Sequence, residues 1–381
     1  MDQDFKKYTK MFKNKENRIA AAEKGTLLPI PFSMSITPME ALLFLTFEQD
    51  PDSVYSAFEA QRFDDDLQGT GQLVIGWRVD GKVDVFHDPQ LRLDPDGYDV
   101  CVGGLAHMVP RDFSDSFFTV GASGMEAHFS FEDLQGRLIE FEIRERNKKA
   151  PRPFGFLAPV GEGSENPSAM PILMLHDFYF VRRKGTEISI TIDGRSHRPD
   201  VIFFPIDWTI MYFTRYTPDP LVMFFNPAFK GPVPTLVVNG EERVIREDTI
   251  YEVDYLGETP QLKAIQREAD GRYVRLSFEP AFPNLSVFEG LSASGDFSIK
   301  GDPALGEIRG NYTATRVDDE LKIILVPSGG WIPEKERLGI RLLYTVVGLF
   351  RNWPKSYRWM ALVHETQESH LQMDSSWERI K

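Results

Sequence analysis

The run Leu173-Met-Leu-His-Asp-Phe-Tyr-Phe-Val-Arg-Arg sets an acid, a phenol, an imidazole and two guanidinium groups in an otherwise apolar stretch. Read as one strand, it places Asp177 and Tyr179 on one face and His176, Phe178 and Arg182 on the other. A carboxyl group buried among aromatic side chains is pushed towards neutrality and can serve as an acid. A phenol beside it can orient a substrate or return the proton. Asp177 and Tyr179 are therefore the candidate catalytic pair, with His176, Phe178 and Arg215 as candidate ligand-binding residues. The commoner fate of such an aspartate is structural, ionised against Arg182, Arg183 or Arg215.

Tryptophan supplies the second candidate cluster. Trp331, Trp353, Trp359 and Trp377 all fall near the C-terminal end of the sequence. Each offers a large flat surface and one N–H donor. Trp331, Trp353 and Trp359 are candidates for lining an apolar pocket, and the competing outcome is that they plug the fold as ordinary core. Glu140 and Glu142 form a third set, paired acids of the kind that act on glycosides. They lie on the polar side of an alternating strand, where solvated charges are expected.

Other chemistries find no support in the spacing. Gly69 and Gly71 stand before a strand rather than a helix, so they make no dinucleotide fingerprint. The seven histidines are scattered without local metal spacing, and no cofactor or metal is expected. Cys101 is the sole cysteine, which leaves no internal disulfide and fits a reducing cytoplasm. A net charge of −14 argues against nucleic acid as a partner. No stretch reaches the ~20 apolar residues of a spanning helix, so stable membrane insertion is not expected.

The elements that must position these groups have a period of two. Phe129 and Phe131, then Ile139, Phe141 and Ile143, then Ile188, Ile190 and Ile192 alternate with polar residues. Such alternation turns one side of a strand to a core. Asp80-Gly81, Gln135-Gly136 and Lys184-Gly185 supply turns between successive strands. Residues 1–26, rich in Lys, Glu and Ala, predict a short N-terminal helix. Residues 38–47 fit either a short helix or a buried strand. Prolines and glycines crowd residues 148–171, which predicts an exposed irregular loop. A second Pro-rich stretch ends at Pro234 and marks a boundary near residue 230. The expected fold class is all-β, with two antiparallel β-barrel or sandwich domains over 27–230 and 231–381.

Over roughly residues 70–381 the chain resembles the tandem lipocalin-like proteins related to carotenoid 1,2-hydratases. The resemblance lies in the alternating strands and in the Pro/Gly-rich stretch before Leu173-Met-Leu-His-Asp-Phe-Tyr-Phe. It continues in the closing segment with Gly329-Gly330-Trp331 and Tyr357-Arg-Trp359. It implies two consecutive lipocalin-like (calycin-like) domains and an apolar, isoprenoid or polyketide-like ligand. The expected function is a binding protein for a hydrophobic small molecule in a barrel interior. Two alternatives stand beside it: a cofactor-independent hydratase, cyclase or isomerase, and a carbohydrate-active β protein.

Overall fold

The structure is a computed structural model that describes residues 25–98, 103–121, 124–147, 152–159, 167–206, 208–269, 271–288, 290–301, 305–317, 320–333, 338, 354–366 and 370–380. Among these the fold is all-β. The named helical elements, Pro95–Gly97 and Leu285–Val287, are single 3-10 turns. No described helix is long and apolar enough to cross a membrane.

Three large sheets account for most of the strands. The first runs, edge to edge, through Met34–Pro38, Asp219–Phe225, Met170–Arg182, Met211–Thr217, Ala41–Thr46, Tyr55–Asp65, Gly69–Arg78, Val83–His87 and Leu105–Pro110. Phe154–Pro159 pairs with Met170–Arg182 beside that path. The second has five strands: Arg195–Ser196, Thr186–Ile192, Leu138–Glu145, Gly124–Glu132 and Phe117–Gly121. The third is an antiparallel sheet from Arg243–Arg246 to Leu371–Arg379, with Phe229–Pro232 added at its edge. Thr26–Pro29 pairs with Thr235–Val238, which ties the two parts of the chain together.

The alternation works as its pattern demands. Ile139, Phe141 and Ile143 pair with Ile192, Ile190 and Ile188, and all but the half-buried Ile188 are buried against the first sheet. Phe141 stacks on Phe58 at 5.5 Å and on Phe129 at 4.9 Å. The aromatic wealth here is packed core. Residues 38–47 resolve as the strand Ala41–Thr46, buried on both faces.

The third sheet curls over its own core, and the start of the chain enters it. Phe32 lies 4.8 Å from the rings of Phe278 and Phe282 and 5.7 Å from Trp359. Trp359 and Trp377 are both 1 % exposed. The Trp377 indole donates to the carbonyls of Phe225 and Asn226. These two tryptophans are structural, and the third sheet's interior is occupied by the protein's own side chains.

Within 148–171, Phe154–Pro159 is a strand and not irregular loop, because its apolar residues find a partner in Met170–Arg182 and its prolines sit at the ends. Val83–His87 and Leu105–Pro110 run parallel, so the first sheet is not wholly antiparallel. The predicted N-terminal helix falls almost wholly on residues 1–24, outside the described ones, while Thr26–Pro29 is strand.

Candidate functional site

The strand Met170–Arg182 decides where the candidate pair goes. Before Asp177, Met170, Ile172 and Met174 face the core of the third sheet, while Leu175 faces the opposite way. After it, Phe178 and Phe180 share Leu175's side, and Tyr179 and Val181 face the five-stranded sheet. Leu175 and Phe178 are three residues apart, so one residue has been added to the alternation. Asp177 stands at that break, with φ of 50° and an exposed side chain. A short polar residue tolerates the left-handed region that such a bulge requires.

Asp177 and Tyr179 are therefore not a buried dyad. The Tyr179 hydroxyl instead reaches Glu145 Oε2 at 3.5 Å, and burial, then Glu145, pushes its pKa well above the ordinary phenol range. Asp177→Asn keeps a short side chain able to sit at positive φ. Its expected effect on stability in urea titration is within about 0.5 kcal/mol. Asp177→Val, which cannot adopt that backbone without strain, is expected to cost about 1–2 kcal/mol.

The strongest site lies on the face of the first sheet turned away from the five-stranded sheet. Register places Phe180, Arg215, Phe44, Glu59, Ile75, Val85 and Met108 opposite one another on consecutive strands. They form a single row across the sheet. Gln61 and Trp77 flank Glu59 on the same face. One end of this face is covered by Leu91, Leu93 and Tyr98, the other by Ile202, Phe204 and Ile206. Between the two covers Phe44, Trp77, Leu173, Phe213 and Val222 are only half-buried. These half-buried apolar side chains leave part of the face accessible to solvent, and this accessible stretch is the candidate opening.

Arg215 and Glu59 are the charged groups of this opening. The Arg215 guanidinium lies 4.0 Å over the Phe44 ring and 4.9 Å from that of Phe213. One of its donors goes to the Phe213 carbonyl at 3.1 Å. Among the described residues no carboxylate lies within ion-pair distance of it. Burial pulls its pKa down to about 10, against the opposing pull of Glu59 and Glu48, so it stays charged at neutral pH. Glu59 is 8 % exposed and accepts from the Gln61 amide at 2.7 Å. Burial pushes its carboxyl up; Gln61, Arg215 and the Trp77 indole pull the other way. Glu48 stands at the rim, raised by partial burial and by Asp200 and lowered by Arg215. Arg215 and Glu59 sit two strands apart, about 10 Å between backbones.

The arrangement offers a fork of hydrogen-bond donors and a protonatable carboxyl on an aromatic surface. Such a site can hold an anionic or strongly polar oxygen at one point and an apolar body around it. Among the described residues no cluster of three His, Cys, Asp or Glu is placed to hold a metal ion.

The other sequence candidates scatter. His176 is buried, with Nδ1 3.0 Å from the Asp219 carbonyl. Phe178 belongs to the cluster under Ile202 and Phe204, next to the opening. Trp331 packs edge-on against Phe156 at 4.9 Å. Trp359 is core, and Trp353 lies outside the described residues. Glu140 and Glu142 are on the outer face of the five-stranded sheet, Glu142 paired with Arg144. Only Arg215 of the original set enters the charged centre. Glu59, Gln61, Phe44 and Trp77 were missed; their one sequence signal is polar residues opposite apolar ones on Tyr55–Asp65, which reads as a solvated face.

No protein-family model, curated protein or solved structure matches this chain.

Proposed function

We propose that this protein binds a hydrophobic small molecule carrying an acidic or strongly polar oxygen. The apolar body, lipid-, isoprenoid- or polyketide-like, lies against Phe44, Trp77, Leu173 and Phe213, and the oxygen meets Arg215. The observation that carries this reading is the guanidinium itself. It is stacked on Phe44 inside an aromatic face, with donors unspent on any described carboxylate. Arg215 is half-buried, so its unspent donors are held on the aromatic face where a ligand's anionic oxygen can meet them. The single cysteine is compatible with a cytoplasmic location, which forms part of the same proposal.

A second reading rests on Glu59. A buried carboxyl with a raised pKa can give or take a proton on a ligand held by Arg215, which suits a hydratase, cyclase or isomerase without a cofactor. The carbohydrate-active alternative has no such support, since Glu140 and Glu142 are on the outer face.

The test uses a dansyl-labelled undecanoic acid and its methyl ester as paired fluorescent probes. The acid is expected to bind at least about tenfold more tightly, the difference made by charge-assisted hydrogen bonds to one carboxylate. Equal affinities would remove Arg215 from the site.

A further inference from the structure

We propose that residues 201–206 and 208–210 form a docking tip for an anionic lipid surface. Trp208 is 98 % exposed and Phe203 79 %. Their exposure is imposed, because the segment is braced on both sides. Val201 bridges to Tyr212 and Ile206 to Thr209, and the Ile202 amide donates to the Met211 carbonyl at 2.9 Å. Ile202, Phe204 and Ile206 are buried in one cluster with Phe178 and Phe180. The same short segment thus turns one set of apolar side chains into the protein and holds two aromatic rings in water. Large exposed aromatic groups on a rigid tip mark an interaction site.

Charge identifies the partner. The Arg183 amide donates to the Ile210 carbonyl at 3.0 Å, and the Arg146 amide to the Gly185 carbonyl at 2.8 Å. The first bond seats Arg183, and Lys184 after it, at the base of the tip, and the second holds Arg146 beside the adjoining turn at Gly185. All three are exposed, and none has an ion-pair partner among the described residues. Asp207, the acid within the tip's sequence, lies outside the described residues. In a chain of net charge −14, three exposed cations without a described ion-pair partner, carried by backbone near the foot of the tip, are a local concentration of positive charge. Trp and Phe seat at the headgroup level of a bilayer while Lys and Arg meet anionic headgroups. Two rings bury about 150–250 Å² each. That is small beside the ~1,200 Å² of a stable protein interface, and it suits shallow insertion.

The experiment is co-sedimentation of the full chain with phosphatidylcholine vesicles, with and without phosphatidylserine, at low and high salt. The protein is expected to sediment with the anionic vesicles, at least about fivefold more than with neutral ones, and to be released by salt. The double variant Phe203→Ser/Trp208→Ser is expected to lose binding at least about fivefold. Arg183→Glu/Lys184→Glu is expected to lose it on anionic vesicles alone. Unchanged circular dichroism establishes that each variant is folded; all four positions are exposed. No sedimentation with anionic vesicles overturns the proposal, as does full binding by the folded Phe203/Trp208 variant. A concentration-dependent dimer abolished by Trp208→Ser, without vesicle binding, would assign the tip to a second copy of the chain instead.

Discussion

Arg215→Met is expected to lower affinity for the carboxylate probe about ten- to hundredfold and to leave the methyl ester within about threefold. The range follows from removing charge-assisted hydrogen bonds worth about 1.5–3 kcal/mol. Methionine keeps much of the volume over Phe44 and Phe213, so the apolar contribution to binding survives. Arg215→Lys retains the charge without the planar fork, and its loss is expected to fall between the two. The same titration checks all three proteins. If the acid and ester lose affinity together, the site has collapsed and Arg215 acts through packing.

Glu59→Gln is expected to stabilise the protein at neutral pH by about 1–2 kcal/mol, as relief of a destabilised buried group does. The direction follows from linkage. Burial raises the folded-state carboxyl above its ordinary value of 4.5. Folding then favours the protonated form, so Glu59's contribution is fully present below the unfolded pKa. It is lost as pH rises through the folded pKa, and the cost persists above it. Gln61 can still bond to the amide that replaces the carboxyl. The gain in the variant is therefore expected at pH 7 and absent at pH 4, measured by urea unfolding at both. A variant less stable than the wild type at pH 7 would make Glu59 an ionised partner of Arg215 rather than a strained acid. Under the enzymatic reading, the stabilised variant also loses turnover while retaining probe affinity.

Local patterns carried the sequence far. Asp80-Gly81 does join Gly69–Arg78 to Val83–His87, and Gln135-Gly136 joins Gly124–Glu132 to Leu138–Glu145. The inward set Phe129, Phe131, Ile139 and Phe141 was legible because Gly124–Glu132 and Leu138–Glu145 are buried on one face only. Tyr55–Asp65 is different. It is covered on both faces, so Glu59 and Gln61 sit inside while their alternation with Phe58 and Ala60 mimics a solvent face. Asp177 failed for another reason. A single bulged residue reverses every later side chain on its strand, and nothing in Leu173–Arg182 announces it. The row through Arg215, Phe44 and Glu59 depends on pairing Met211–Thr217 with Ala41–Thr46, strands far apart in sequence. One sequence holds no record of such register, so Arg215 could be nominated but not its partners.

Photo-crosslinking with a diazirine-bearing fatty acid, followed by peptide mass spectrometry, tests the central claim most directly. Adducts are expected on the strands that carry Phe44, Trp77, Leu173 and Phe213, competed away by the dansyl acid and much reduced in Arg215→Met. Adducts confined to the third sheet, around Phe32, Phe278 and Trp359, or none that the dansyl acid competes, would contradict it.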